Sequence, residues 1–404
     1  MSKFEQLKKL DESRLYNLPI EAVNGRELSS RGRKLLDFVN TNYLGFEFDL
    51  AHSIRAEEYQ RQWGSLCGWS RMEIDADIYP TLEKRVSEFL GAKETLLSHT
   101  ITLTNFSLIP GIVGKGTLFC DEIVHAVVFE ACRLARDHGA QLKRFKHQNW
   151  EDLEAQLKDP SLPSPKLICV DGVYSVSSEI ADIRRLHELC RKYDAYLYVD
   201  DAHGFGVLGE NPTVENPYGT GGTGVVRHFG ENFERIFYVT SFGKAFSSHT
   251  AFAAIPDAYQ ENYRSFCTQY LFSAGMSPRT IGEVHDVLDF NASEGEFRRA
   301  KLRGLVRRFV QGIQSLGFAC WNVKEQPVIY VPVGDLDTFM KAAAFMDRAG
   351  IIAGLRAYPL VGKNECGFRF AVTALHETRH IDQALTALAD LRHMMGPHLL
   401  ERSA

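Results

Sequence analysis

The stretch VTSFGKAFSSHT, residues 239–250, sets one lysine, Lys244, in a loop of small and hydroxylated residues. Upstream, YLYVDDAHGFGVLG runs from an apolar segment into Asp200, Asp201 and His203, and KLICVDGVYS ends in the same manner with Asp171 and Ser175. In open α/β sheets ligands lie beyond the carboxyl ends of the strands. Three apolar runs that each end in ionisable or hydroxylated side chains therefore point to a shared site. Each has an ordinary reading alone: a strand-end aspartate is commonly a cap or loop residue, and a lysine among serines is commonly solvated. Together they have the chemistry to hold pyridoxal phosphate. That cofactor needs a lysine for its Schiff base and an acidic partner for its pyridinium nitrogen. Lys244 and Asp200 meet those needs. His203 is placed to hydrogen-bond the ring's phenolate oxygen. Thr240 and Ser241, just before the lysine, are placed to donate to a phosphate.

Such residues must be carried by strands that end on one edge. LEKRVSEFLG is amphipathic and stops at Gly91, as helices commonly do. ETLLSH, TLFCDE, KRFKH, KLICVD, AYLYVD and IFYVTS are short apolar runs rich in β-branched and aromatic residues. Helical segments such as VVFEACRLARDHG and IRRLHELCRKYD separate several of them. This alternation predicts an α/β fold with a mostly parallel central sheet and helices on both faces. After about residue 285 comes a long basic amphipathic helix, EGEFRRAKLRGLVRRFVQGIQSLGF. PVIYVPVG, a helix through TFMKAAAFMDRAG, IIAGLRAYP, GFRFAVT and a last helix, HIDQALTALADLRHMM, follow. They read as a smaller C-terminal α/β domain. The expected divisions are an N-terminal segment at 1–50, with a polar helical arm and then a strand within 1–38, a large domain at 51–285 and a small one at 286–404.

The bulk composition bounds the rest. Over 404 residues the net charge is −5, with 45% hydrophobic and 24% charged residues. That is the balance of a globular chain without a basic field for nucleic acid or anionic membrane. Eight cysteines form no CxxC pair, which predicts a reducing compartment and no structural zinc. MSKFEQLKKLDESRLYN has no apolar signal core, and no apolar run approaches the ~20 residues of a membrane span. A cytoplasmic protein is expected.

Beyond these features, the chain resembles the α-oxoamine synthases. These are fold type I pyridoxal phosphate enzymes that include aminolevulinate synthase, amino-oxononanoate synthase, aminoketobutyrate ligase and serine palmitoyltransferase. The likeness runs from VNTNYLG at 39–45 to RFAVTALH at 369–376. It implies Asp200 as the pyridinium partner, His203 at the phenolate, Lys244 as the Schiff-base lysine and Ser241 as a phosphate ligand. It also implies that His125, in CDEIVHAVVFEA, stacks on the cofactor ring, and that DGVYS puts Asp171 and Ser175 near it. GFRFAVTALH points to Arg369 as the grip on the amino-acid carboxylate, LRAYP to Arg356 beside it, and NTNYLG to Asn42 and Tyr43 in a segment that closes over the substrate. Without the resemblance, His125 could be a half-buried histidine, Arg369 a snorkelling side chain and Asn42–Tyr43 a turn.

Several stretches depart from the family pattern. Relatives have a glycine-rich turn near residue 100, where this chain reads HTITLTN with Ile101 at the expected glycine; Thr100, Thr102 and Thr104 offer hydroxyls instead. After Lys244 the usual GxxGG is replaced by AFSSHTAF, with His249 and Phe252 adding bulk. FSAGMS, with Ser273 and Ala274, lacks the threonine of a YSTS-like segment. WGSLCGWSRMEIDADIYPTLEKR replaces a glycine-rich region and has Tyr79 where many members have histidine.

The activity implied by the resemblance is a decarboxylative, Claisen-type condensation. An amino acid loses its Cα proton to Lys244, the carbanion attacks an acyl thioester on coenzyme A or an acyl carrier protein, and His125 and His203 steady the acyl oxygen. Carbon dioxide leaves and an α-amino ketone remains. A homodimer is implied as well. Three other readings stay open: a relative of the autoinducer synthases with a specialised substrate, an aminotransferase or β-eliminating lyase using the same Asp–Lys pair, and a non-catalytic partner subunit.

Overall fold

Three short strands open the described chain: β1 (Ala22–Asn24), β2 (Glu27–Ser30) and β3 (Arg33–Phe38). This computed structural model describes residues 15–322 and 324–396. The helical arm expected in 1–38 therefore falls in part outside the described residues, and 22–38 is an antiparallel meander instead. The reason is local. Gly25, and Arg31 with Gly32, take positive φ at the two turns, and glycine permits that conformation at no steric cost.

The apolar runs of the middle of the chain form seven strands: β4 (Thr95–Ser98), β5 (Thr117–Asp121), β6 (Gln141–Phe145), β7 (Lys166–Asp171), β8 (Ala195–Asp200), β9 (Ile236–Ser241) and β10 (Ala251–Ala254). They make one sheet in the order β4-β10-β9-β8-β7-β5-β6. All pairs from β9 to β6 are parallel, while β10 runs antiparallel to both of its neighbours. β7, β8 and β9 are buried along nearly their whole length, so both faces of the sheet are covered. The sheet order reverses between β5 and β7, because β6 adds on one side of β5 and β7 on the other. A crevice at such a switch point is where doubly wound sheets bind ligands.

The connecting helices start and stop for local reasons. Helix Ile78–Leu90 ends on Gly91 at φ +70°, a left-handed cap that lacks a Cβ penalty. Helix Ile101–Val113 is capped by the Thr100 hydroxyl, which accepts from Leu103 N at 3.2 Å. Helix Ala126–Asp137 follows β5 and helix Ile183–Lys192 follows β7.

A second sheet has the order β1-β2-β3-β12-β13-β11. Its later strands are β11 (Val328–Gly334), β12 (Ile351–Arg356) and β13 (Cys366–Ala371). β3 and β12 are parallel, and the other pairs are antiparallel. The chain divides into two compact units. One holds the described residues up to Gly45, Val176–Glu179 and those from Phe297 onward; the other holds Phe46–Ser175 and Ile180–Glu296. These limits compare with 50 and 285 read from the sequence. The basic helix begins earlier than its charge pattern indicates, running from Pro278 to Ser315.

Candidate active site

The site lies in the larger unit, at the carboxyl ends of the parallel strands. One pocket is lined by Ile101, Thr102, His125, Val127, Asp171, Val173, Asp200, Ala202, His203 and Lys244. Five side chains expected from sequence to meet the cofactor, Lys244, Asp200, His203, His125 and Thr102, therefore share one wall system with Asp171.

Strand register explains the carboxylates. Asp171 and Asp200 are direct partners across the parallel β7–β8 ladder, so they point the same way. Asp200 is 6% exposed. Its Oδ2 accepts from Asn105 Nδ2 at 3.0 Å and its Oδ1 from Ala202 N at 3.2 Å. Asn105 is held in turn by the Tyr198 hydroxyl, which donates to its Oδ1 at 2.6 Å. Burial, with Asp200 alongside, holds the Asp171 carboxyl well above the usual carboxylate range; Lys244 works in the opposite direction. Asp171 also accepts the His125 N–H at 3.1 Å on both oxygens. His125 then caps helix Ala126–Asp137, its Nδ1 accepting from Val127 N at 3.3 Å. With Nδ1 an acceptor, the neutral ring carries its proton on Nε2.

Asp201 has a different place. Val225 N and the Tyr238 hydroxyl both donate to its Oδ2 at 2.8 Å, and burial pushes its carboxyl up to about 7. It fastens the loop that follows β8 and does not line the pocket.

The Lys244 loop is fixed by aromatic packing and by its own hydrogen bonds. Phe205, in the loop after β8, packs edge-on against Phe242, Phe246 and Phe252 at centroid distances of 5.2, 4.9 and 5.2 Å. The bulk at Phe252 thus belongs to the cage that carries the lysine. Ser247 N donates to Lys244 O at 3.1 Å, and Phe242 N to Thr250 O at 2.7 Å.

Two expected phosphate ligands are directed elsewhere. The fully buried Thr240 hydroxyl donates to Asp201 O at 3.0 Å, because β-strand alternation turns it away from the pocket edge. The Ser241 hydroxyl donates to Thr250 O at 3.0 Å and accepts from Gly243 N at 2.9 Å. Neither residue lines the pocket, nor does half-buried Ser175. Among the threonines near residue 100, Thr100 is the helix cap and Thr104 is buried, donating to Thr100 O at 2.9 Å. Thr102 alone of the three reaches the pocket. Ile101, at the position of the expected glycine, is the first residue of the helix and has no positive φ, so its backbone conformation does not require a glycine.

The other predicted group lies in the smaller unit. Tyr43 is fully buried, and burial pushes its hydroxyl up to about 12 although Arg369 hydrogen-bonds it. Arg369 is 6% exposed on β13. Half-buried Arg356, at the end of β12, donates to Leu355 O at 3.0 Å, and burial, then Arg369, holds its pKa below the usual guanidinium value. Asn42 N donates to Asn40 Oδ1 at 2.7 Å and Asn42 O accepts from Gly45 N at 3.0 Å, so NTNYLG is a turn with Tyr43 as its anchor.

Comparison with known proteins places this arrangement. The family described as Aminotransferase class I and II matches residues 60–388. An 8-amino-7-oxononanoate synthase of Herminiimonas arsenicoxydans is 30% identical over 374 residues, covering 90% of this chain and 92% of that protein. The chain belongs to this family, as an α-oxoamine synthase. A second 8-amino-7-oxononanoate synthase, of Stutzerimonas stutzeri, is 29% identical over 379 residues, with 93% and 92% covered. Among solved structures, a serine palmitoyltransferase of Sphingomonas wittichii superposes with a TM-score of 0.84 at 25% identity, covering 98% of each chain. One from S. paucimobilis gives 0.85 at 23% identity with 97% of each covered.

The fold is accordingly that of a fold type I pyridoxal phosphate transferase, and the cofactor of this α-oxoamine synthase is pyridoxal phosphate. The residues present fit that group. An amine, a buried and hydrogen-bonded carboxylate, two imidazoles and a helix N-terminus converge on one pocket. A helix N-terminus is suited to a phosphate through its unpaired N–H groups and dipole. Sequence reasoning missed Asn105 and Tyr198. The signal the sequence offered was weak, because Asn105 stands among other polar residues of the same helix, with Thr104 and Ser107 buried beside it.

Proposed function

We propose that this protein condenses an amino acid with an acyl thioester, with loss of carbon dioxide, to give an α-amino ketone. The observation that carries the reading is the Lys244 amine sharing a pocket with an Asp200 carboxylate that Asn105 and Ala202 hold in place. Pyridoxal phosphate, when bound, supplies the electron sink that lets a carbanion form at the substrate Cα.

The chain's own residues do the rest. Asp200, held by two donors, would be the anionic partner of the pyridinium nitrogen. Lys244 would hold the cofactor, and its free amine would be the base for the substrate Cα proton. His125, capping its helix and lining the pocket, would stack on the ring and offer its Nε2–H to an acyl oxygen. His203, also on the pocket wall, would hydrogen-bond the phenolate oxygen. Thr102 and the N–H groups of the first turn of helix Ile101–Val113 would hold the phosphate. Ser175, Ser241 and Thr240 act behind these groups, shaping the loops. Arg369, supported by Tyr43, takes the amino-acid carboxylate, with Arg356 as its neighbour and Asn42 shaping the turn.

A homodimer belongs to the same reading. It is supported by exposed Leu66, Trp69, Met72 and Ile74, together with Phe272, on segments joined by the Ser70–Ala274 bridge. No described helix is long and apolar enough to cross a membrane, and a cytoplasmic location fits that. The acyl donor is a thioester of coenzyme A or of an acyl carrier protein.

The test is direct. Purified holoenzyme is incubated with a panel of amino acids and acyl thioesters, with free thiol and carbon dioxide both followed. Equal release of the two, only when both substrates are present, is expected. Amino-group transfer or elimination without thiol release would contradict the proposal.

A further inference from the structure

β5 and β6 end in a second histidine–carboxylate pair, for which the reaction above has no use. Asp121, the last residue of β5, is fully buried. Both its oxygens lie within hydrogen-bond distance of His147 Nδ1, at 3.1 and 3.0 Å. A carboxylate offers only acceptors, so Nδ1 carries the proton and the ring orientation is fixed. The same carboxylate accepts from Ile123 N at 2.9 Å and from Gln148 N at 3.3 Å. Glu122 fastens the turn from its other side: its N–H donates to Phe145 O at 3.1 Å, and its Oε1 accepts from His147 N at 3.1 Å. The His147 ring also meets Tyr174 edge-on, with centroids 4.5 Å apart. Tyr174 stands three residues after Asp171, whose carboxylate holds the His125 N–H.

The turn from Asp121 to His125 is thus held at its far end by Asp171 and at its start by Asp121 with His147. Of its five residues only Asp121 and Val124 are buried; Glu122, Ile123 and His125 are exposed. Apolar packing can do little to fix such a turn, which leaves its shape to these polar contacts. We propose that His147 is a positioning residue for His125, acting through Asp121 to set where that imidazole stands on the pocket wall. The inference rests on the role given to His125 above.

His147→Ala and His147→Asn test it in the full-length protein, since the asparagine amide keeps a donor near the Nδ1 position. Two readouts are taken: hydrogen–deuterium exchange of the segment 121–128 without added cofactor, and visible circular dichroism after loading with pyridoxal phosphate. His147→Ala is expected to speed exchange there at least tenfold and to reduce the visible signal. His147→Asn should restore most of both. The double variant with His125→Ala should lose no more visible signal than His125→Ala alone, as for residues acting in series. Unchanged exchange and dichroism in His147→Ala, failure of the asparagine to rescue, or additive losses in the double variant would each overturn the proposal. A wild-type protein with no visible signal would contradict the site reading instead, and the exchange result would still decide whether His147 sets the turn.

Discussion

Two neighbouring aspartates, Asp200 and Asp201, have separate tasks that the backbone assigns. Successive residues at a strand end face opposite sides, so Asp200 enters the pocket while Asp201 ties down the loop through Val225 N and Tyr238. YVDDAH and TSFGK drew attention to Asp200 and Lys244, which line one pocket; nothing in the sequence separated the tasks of the two aspartates. Thr240 and Ser241 stand close to Lys244 in sequence, yet both hydroxyls bond backbone carbonyls and neither residue lines the pocket. Asn105 was silent because its partner, Asp200, lies 95 residues away. Its removal is a sharp test at this scale. A hydrogen bond to a charged group contributes about 1.5–3 kcal/mol, so Asn105→Ala should weaken retention of pyridoxal phosphate about ten- to hundred-fold. Titration of the cofactor into the apoprotein measures this, and unaltered affinity would show that Asp200 has no need of the amide.

Elements with a clear period were read correctly: helices Ile78–Leu90 and Ile183–Lys192, and the strands that carry Asp171, Asp200 and Ser241. β10 was missed, since four small or aromatic residues, AFAA, show neither alternation nor β-branching. Yet β10 supplies Phe252 to the cage under Lys244 and pairs with both β4 and β9. The unusual stretch before Tyr79 also has a structural account. Arg71 is ion-paired with Glu83 at 2.6 Å and Asp75 at 2.8 Å, and its guanidinium lies over the Tyr79 and Tyr270 rings at 4.9 and 5.2 Å. The Tyr79 hydroxyl donates to Met276 O at 2.7 Å, so this tyrosine is an internal brace. The loop after β8 approaches the lysine loop so closely that Gly206, at φ +83°, would place a Cβ 2.4 Å from Ala245 Cβ. Gly206→Ala should therefore cost about 1–3 kcal/mol through strain and contact and loosen the lysine loop. A fall in the thermal unfolding midpoint together with faster cofactor loss is the expected outcome; an unchanged midpoint would mean that the two loops do not pack as described.

At the scale of the whole molecule, buried titratable groups tie stability to pH. His376 donates from Nε2 to Asp37 O at 2.9 Å and accepts at Nδ1 from Thr373 N at 3.0 Å, which uses both nitrogens of a neutral ring. Burial first, then Arg26, pushes it down to about 3, whereas the unfolded chain takes up that proton near 6.5. Its contribution is complete above about 6.5 and is lost as the pH falls from there toward 3. Asp201, raised to about 7 by burial, works in the other direction over part of this range. The difference between wild type and His376→Asn therefore isolates the histidine. Between pH 6.5 and 5 the wild type should lose about 2 kcal/mol more than the variant, read from denaturant midpoints; equal losses would mean that the ring is not held neutral. The sheet as a whole was visible in the alternation of strands and helices. Its reversal between β5 and β7 was not, because strand order is set by long-range pairing that leaves no local mark. That reversal is nevertheless what brings Asp171, His125 and Asp200 to one crevice. The account depends most on a covalent attachment there. The protein is loaded with pyridoxal phosphate, reduced with borohydride, digested and mapped by mass spectrometry. The pyridoxyl mass is predicted on Lys244, and its appearance on another lysine, or on none, would contradict the account.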